Sequence, residues 1–317
     1  MRSERRRERS SARPSALAVF ALLLGPGCAN FISGDEEALD RFAEFQVHGG
    51  QCRTPEPPAE GGVLEGVTRY RWRLFDVALE EVRAPSGRVR YTRLESDPEL
   101  RETLRLTVEQ IASVDPSKLA SFEEKLAFWI NAYNALVLDG AAAGWAQDPS
   151  FRVDTNDFAF FKEEVHVVGG KTYSLNQIEN GVIRGDRYHP SLAFLTDEEI
   201  APILALHDDL WEGRDLDPRV HFALNCASSS CPDLDAEPWR PEDLDARLDA
   251  VTEAFLLDAG RGAGPDGISQ IFDFYLLDFD AQHVGGVDAF IARYRSLDDV
   301  DTARFLLYDW SLNVADE

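Results

Sequence analysis

The chain reads as an α+β protein, a single mixed helix/strand globular domain behind an N-terminal export segment. Three observations predict this. Apolar or amphipathic stretches of helical length alternate with short β-branched or aromatic runs, without a regular βαβ rhythm. The composition, 44% hydrophobic with 19 Phe and 6 Trp in 317 residues, can supply a large core and argues against disorder. Pro- and Gly-rich punctuation gathers ahead of residue 67. The expected division is a signal peptide over 1–27, a tether over 28–66 and a globular domain over 67–317.

The N-terminus carries the export signal. Arg2, Arg5, Arg6, Arg7, Arg9 and Arg13 form a cationic region, Ala16–Leu24 is an apolar run of nine residues, and Gly25-Pro26-Gly27-Cys28 follows. Nine residues cannot cross a bilayer, which needs about 20, so the segment reads as a signal peptide. Small residues directly before a Cys resemble a bacterial lipobox, in which that Cys becomes the lipidated first residue of the mature protein. Gly25 stands where Leu is usual, with Leu24 one place earlier, and Pro26 is also a departure. The expectation is a bacterial envelope protein, membrane-attached through a lipid on Cys28 and facing the periplasm or exterior. Plain secretion and an uncleaved anchor are the alternatives. In the tether, 35–47 fits a short helix, and His48-Gly-Gly, Thr54-Pro-Glu-Pro-Pro and Gly61-Gly62 read as a flexible spacer.

Charge excludes one class of partner. The first 27 residues hold six Arg and two Glu, so the rest carries −29 against −25 for the whole. So acidic a domain repels phosphate backbones and is not expected to bind nucleic acid. Export implies an oxidising compartment. Beyond Cys28 the cysteines are Cys52, Cys226 and Cys231. A Cys226–Cys231 disulfide is open, and an odd count leaves one thiol free or paired with another molecule.

Within the domain, 68–82 fits a helix, Ala84-Pro-Ser-Gly87 a turn, and Val89-Arg-Tyr91 a short extended piece. A helix over about 98–112 follows. Ser121-Phe-Glu-Glu124 is a capping-box pattern that opens a strong helix to about Gly144. Residues 158–168, Gly169-Gly170 and Lys171–Tyr173 read as a β-hairpin on a two-glycine turn. Ser174-Leu-Asn-Gln177 is a second capping box, with a helix to about Gly185, and another helix spans about 197–207. Arg219–Cys226 reads as a buried strand, 242–259 as a helix and Ile271–Phe279 as an aromatic strand. Helices near 287–295 and 302–308 close the chain.

The most informative stretch is His221-Phe-Ala-Leu-Asn225-Cys226-Ala-Ser-Ser-Ser-Cys231-Pro232. On a strand, His221 and Asn225 would share one face and Cys226 would sit at the end, where a turn exposes it. Three readings compete. Cys226 or Cys231 is a nucleophile with His221 or His189 as base and Asn225 orienting the imidazole, since thiol chemistry needs a thiolate and an imidazole to take its proton. Alternatively, His221, Cys226 and Cys231 bind zinc, although H-x4-C-x4-C is not a common pattern and lacks a fourth ligand. Or the residues are structural, as a disulfide or packed thiols with a hydrogen-bonded His221 and Asn225. No metal and no cofactor are expected.

Two further constellations stand out. Asn131 and Asn134 share one face of an otherwise apolar helix, so each either ties down backbone or faces a substrate. Asn180 and Arg184 lie four apart with Glu179 beside them, which fits a partly buried Glu–Arg pair or a site for a charged substrate group. His189 sits in a loop where it is available as a base. His166 belongs to the hairpin, and His48, His207 and His283 have no supporting context.

Lys125–Asn134, Tyr173–Glu179, Asp217–Pro232 and Tyr308-Asp-Trp-Ser-Leu-Asn313, in this order and spacing, resemble the domain of unknown function 547 family, in a bacterial exported member. The resemblance spans roughly 70–313. It implies that Asn131, Asn134, Glu179, Arg184, His221, Asn225 and Cys226 surround one pocket, with Arg219 and Asp309 beside them, but no activity. A distant relation to cysteine-peptidase and transglutaminase-like folds is expected from the Cys/His segment. The residue order departs from the papain pattern, because His189 and His221 precede Cys226 and only His283 follows Cys231. Two functions remain. One is a thiol-dependent hydrolase or acyl transferase, with amides of the Ala227–Ser230 turn as oxyanion donors. The other is a non-enzymatic envelope lipoprotein that holds a small polar ligand or an envelope partner in the same pocket.

Overall fold

The computed structural model describes residues 72–280, 282 and 284–315. The leader, the tether with its helix, positions 68–71, Cys28, Cys52, His48 and His283 lie outside the described residues. From Trp72 onward the chain forms one compact unit. It is a mixed helix/strand domain, mostly helical, with two small antiparallel sheets.

The helices are α1 (Arg73–Val82), α2 (Tyr91–Ser96), α3 (Pro98–Ser113), α4 (Phe122–Gln147), α5 (Thr155–Lys162), α6 (Asp197–Trp211), α7 (Val220–Ala223), α8 (Leu244–Leu257), α9 (Ile271–Phe274) and α10 (Val287–Ile291). A π-helix spans Gln177–Ile183, and short 3-10 turns occupy Pro116–Lys118 and Leu276–Phe279. Strands β1 (His166–Val168) and β2 (Lys171–Tyr173) pair antiparallel, with His166 opposite Tyr173. Strands β3 (Ala263–Gly264) and β4 (Gly267–Ile268) form the second pair. Among the described residues no helix is long and apolar enough to cross a membrane.

Helix α4 is the centre of the main core. Every residue from Lys125 to Leu138 is buried, on all faces of the helix, which is the pattern of a core helix rather than a surface one. Its start is capped by Ser121, whose hydroxyl accepts from the Glu124 N–H at 3.2 Å. The Glu124 carboxylate reaches one residue further back than a standard capping box, to the Ala120 N–H at 2.8 Å. Lys125 remains charged inside the core because its ammonium donates to Asp209 and Glu212 at the end of α6. A second core, rich in Phe, joins α7, α8, α9 and α10 around Phe222, Phe272, Phe279 and Phe290.

The hairpin turn is as expected: Gly169 and Gly170 both take positive φ (58° and 75°), which a two-residue turn of this hand requires. The Ser174 capping box forms reciprocally, with Gln177 N–H to Ser174 Oγ at 3.1 Å and Ser174 N–H to Gln177 Oε1 at 3.0 Å. Five expectations change. Residues 158–162 belong to α5, so the hairpin arm shortens to 166–168. Asn156, Asp157 and Phe158 take left-handed backbone angles there (φ 52°, 57° and 60°). Tyr91 opens α2 instead of ending an extended piece. Arg219–Cys226 is a single helical turn, α7, followed by extended backbone, and Ile271–Phe279 is two helical turns. In both, the apolar run that reads as a buried strand has no neighbouring strand to pair with among the described residues. Residues 302–308 are not a helix. Residues 302–304 form a turn, and the chain beyond it makes isolated bridges, Phe305 to Ile268, Ser311 to Arg152, Leu312 to Ser228 and Val314 to Val89.

Asn131 and Asn134 prove to be backbone clamps. Asn131 accepts from the Trp239 N–H and donates to the Trp239 carbonyl, both at 2.8 Å. Asn134 donates to the Ala223 carbonyl at 2.9 Å and accepts from the Asn225 N–H at 2.8 Å. Both side chains are buried, so truncation leaves two backbone groups dry and unpaired. Replacing Asn131 or Asn134 by Ala is expected to destabilise the domain by about 2–3 kcal/mol in urea unfolding, against at most about 0.5 kcal/mol for Arg93→Ala at an exposed ion pair.

Candidate functional site

Three segments converge on the Cys226 thiol. Asn134 clamps the backbone on either side of Leu224, and Asn225 continues the clamp by accepting from Ala227 N–H at 3.0 Å and donating to Pro232 O at 2.7 Å. Ala227 takes φ +61°, a left-handed kink that turns the chain sharply after Cys226. The extended 308–313 segment lies along this loop, through Ser229 N–H to Ser311 O at 2.7 Å and Asn313 N–H to Ala227 O at 2.9 Å. It brings Tyr308 Oη to 3.4 Å from Cys226 Sγ, with Ser228 Oγ at 3.1 Å from the same sulfur and 3.3 Å from Tyr308 Oη.

Cys226 is half-buried and Cys231 buried, and both are free thiols. They are neighbours nonetheless, since the Cys226 N–H points at Cys231 Sγ at 2.8 Å. Burial raises the Cys226 pKa, but hydrogen bonds from Cys231, Ser228 and Tyr308 outweigh it and leave the thiol below its ordinary value. Burial pushes Cys231 well above that value. The two cysteines are therefore chemically distinct, with Cys226 the more acidic and the more accessible.

Beside the thiol lies a buried polar network. The Glu179 carboxylate accepts from Tyr133 at 2.6 Å and from the hydroxyl of Tyr275. The Tyr275 ring stacks on His221 (centroids 4.0 Å apart, planes 14° from parallel) and lies under the Arg184 guanidinium at 4.7 Å. Asp278 Oδ2 accepts from both His221 Nε2 at 2.8 Å and Arg184 Nε at 2.7 Å. Against an ionised carboxylate the Nε2 must carry the proton. Burial keeps the His221 imidazole below its ordinary pKa, so it is neutral. Although burial opposes it, His221 and Arg184 hold Asp278 down to about 2. Burial raises Tyr133 and Tyr275 well above the ordinary phenol value, with the Glu179 charge adding to it.

The π-helix shapes this arrangement. Its wide turn carries an i to i+5 bond, Arg184 N–H to Glu179 O at 3.0 Å, and such segments recur where function needs an irregular helix. It ends at Gly185, whose positive φ (68°) and close approach to the His207 ring exclude a side chain. Glu179 and Arg184 thus point to different partners and do not form the expected pair. Arg184 pairs instead with Asp278, at 2.7 Å, and with Asn180 Oδ1 at 2.7 Å.

Several anticipated roles change in this geometry. Asn225 holds the loop, and the group that orients His221 is Asp278. His221 hydrogen-bonds Asp278 rather than Cys226. His189 hydrogen-bonds Ser191 at 2.7 Å, and burial together with Arg184 lowers its pKa. Three turn amides are engaged already, Ala227 by Asn225, Ser229 by Ser311 and Ser230 by Asp309, which leaves no ready oxyanion hole from them. The Ser228 backbone helps to lower the Cys226 pKa. Arg219 stands apart from the thiol, in a surface groove of about 820 Å³. There it pairs with Asp217 at 2.6 Å, Asp245 at 2.7 Å and Asp249 at 2.9 Å. Among the described residues no three His, Cys, Asp or Glu side chains are placed to hold a metal ion.

The fold and site define a mostly helical domain with an acidified thiol beside a tyrosine–carboxylate network. Residues 116–256 match the model of a family described as a protein of unknown function, DUF547. The match supports the resemblance drawn from the motifs. It contains three of the four motifs and leaves Tyr275, Asp278 and Tyr308 beyond its end. No curated protein and no solved structure gives a match.

Asp278, Tyr275 and Tyr133 were not anticipated as site residues. Tyr133 and Tyr308 lie inside quoted motifs and were within reach of the sequence. Asp278 and Tyr275 were hidden by reading 271–279 as a strand. The Asp278 pKa makes a testable statement about stability. A depressed folded-state value contributes stability that is complete above the unfolded carboxylate pKa of about 4 and is lost as pH falls towards about 2. Acid titration of unfolding should show about 2 kcal/mol lost across that window, and Asp278→Asn should remove that component while lowering stability at neutral pH.

Proposed function

We propose that the chain is an exported envelope lipoprotein, anchored through Cys28 and facing the periplasm or exterior. Its domain carries a thiol-dependent hydrolase or acyl-transferase site with Cys226 as nucleophile. The observation that carries the catalytic reading is the convergence on one half-buried sulfur of the Ser228 and Tyr308 hydroxyls. These groups favour the thiolate, which is the reactive form. The cationic, apolar and small-residue order of 2–28 supports the anchor.

The reaction follows from the groups present. The Cys226 sulfur attacks an acyl carbonyl carbon, the bond from that carbon to the leaving heteroatom breaks, and the thiol proton ends on the leaving group. Water or an acceptor nucleophile then cleaves the thioester and its proton returns to sulfur. Tyr308 and Ser228 are the groups in contact with the sulfur and are assigned the handling of its proton. The His221–Asp278 pair acts at one remove, by holding the ring of Tyr275. The alternative, a non-enzymatic lipoprotein binding a small polar ligand or an envelope partner, predicts inert or disulfide-bonded thiols.

Alkylation of the full chain across a pH series, without reductant and mapped by mass spectrometry, tests the reading. Cys226 should label with a midpoint below the ordinary thiol value of about 8.5, moving up by roughly one unit in Tyr308→Phe as a donor to the thiolate is lost. Cys231 should resist until unfolding. A Cys226–Cys231 disulfide, or a Cys226 that stays unlabelled in the native state, rules the mechanism out in favour of the ligand-binding alternative. The anchor is checked separately: the mature chain should gain the mass of a lipid at Cys28, and Cys28→Ser should lose it.

A further inference from the structure

The surface next to the Cys226 sulfur is unusually apolar for so acidic a chain. Tyr308, whose hydroxyl faces the sulfur, packs its ring on Trp310 (centroids 4.3 Å apart) and on Phe274 (5.4 Å). Phe274 also stacks on Trp310 at 5.9 Å, and Phe158 meets Trp310 edge-on at 4.9 Å. These four rings form a continuous floor that runs from the thiol to solvent. None of the four is fully buried, and Phe274 is 40% exposed. The same two segments carry Leu277 at 72% exposure and Leu307 at 93%. Isolated exposed apolar residues are ordinary, but a contiguous set beside a reactive group marks a binding surface.

The backbone narrows the occupant. A peptide laid as an added strand needs open main-chain donors and acceptors. Along 306–313 part of this set is already engaged: the Leu306, Asp309 and Ser311 carbonyls accept from Gln270, Ser230 and Ser229, and the Leu306 and Asn313 amides donate to Ile268 and Ala227. The Tyr308 hydroxyl is already held between Ser228 and the sulfur. The side chains of the floor present ring faces, which suit a hydrocarbon chain better than a polar one. The left-handed run of Asn156–Phe158, a conformation that is costly outside glycine, presents Phe158 to this floor.

We infer that the Cys226 site takes an apolar, chiefly aliphatic acyl group carried as an ester or thioester, its chain lying on Phe158, Phe274, Tyr308 and Trp310. This rests on the thiol-enzyme reading above and names its substrate class. The Cys226 sulfur bonds to the acyl carbon, the C–O or C–S bond breaks, and the alcohol or thiol departs with the proton from Cys226. The chain stays on the floor as the thioester until water or an acceptor alcohol, amine or thiol removes it.

Alkyl methanethiosulfonates test the floor without requiring turnover, because the thiolate displaces sulfinate and retains the alkylthio group as a mixed disulfide. Rates at Cys226 of the full chain would be measured from methyl to octyl, each divided by the rate with glutathione in the same buffer. The expected result is a rise of about tenfold or more with chain length, a small fraction of what full burial of the added methylenes would give. Trp310→Ala and, as the milder surface change, Phe274→Ala should flatten the rise, read as the octyl-to-methyl ratio within each variant so that any change in thiol reactivity cancels. A flat series at a reactive Cys226 overturns the acyl-chain inference and leaves the thiol reading standing. A rise that persists in both variants also overturns it, since the chain is then bound elsewhere. A Cys226 inert to every reagent removes the thiol reading and this inference together.

Discussion

The bond pair that the candidate site depends on is made by Asn134, deep in an apolar helix. Its amide grips the Ala223 carbonyl and the Asn225 N–H, so the backbone around Leu224 is fixed to the most buried element of the domain. A buried amide left without partners costs on the order of 1–3 kcal/mol, and this is what makes the clamp selective for one backbone path. Everything downstream follows from that path: the Asn225 bonds across the loop, the left-handed Ala227, and the placement of the Cys226 sulfur at the rim of the core. Asn131 does the same for Trp239, so a single face of α4 holds two distant loops.

Around that anchor the polar groups sort into two layers. Arg184, Asp278 and His221 form an internally neutralised set, with the arginine and the neutral imidazole converging on one carboxylate oxygen. Within this set each charged group already has a partner. The set is well suited to holding Tyr275 from two sides, by stacking with His221 and by the guanidinium over its ring. Glu179 then receives both tyrosine hydroxyls. Two donors thus satisfy a buried carboxyl group that would be costly to leave without partners.

How much of this was legible depended on whether the determining contacts were local. Helices α3, α4, α6 and α8, the glycine hairpin and the Ser174 capping box follow from periodicity, caps and turn chemistry within a few residues, and all appear. The misread segments, 158–162, 219–226, 271–279 and 302–308, are short apolar or aromatic runs, for which helix and strand patterns are indistinguishable without knowing the neighbour. The grouping of Glu179, Arg184 and His221 was foreseen through the motif resemblance. The identity of their shared partner was not, because Asp278 lies 94 residues from Arg184 and 57 from His221. Likewise, two asparagines in an apolar helix announced a need for partners, but nothing local said that both partners were backbone.

The extended segment that lies along the Cys226 loop has a bearing on biogenesis. Tyr91 and Asn313, 222 residues apart in sequence, share a hydrogen bond, and Val89 bridges Val314. Tyr308 reaches the sulfur only when this strand is seated. The thiol pocket therefore cannot be assembled from a partial chain: a ribosome that has made Cys226 must still add more than eighty residues before the wall beside it exists. Contacts of such long sequence separation close late in folding. That order leaves the Cys226 sulfur without its Tyr308 neighbour through the early stages of folding.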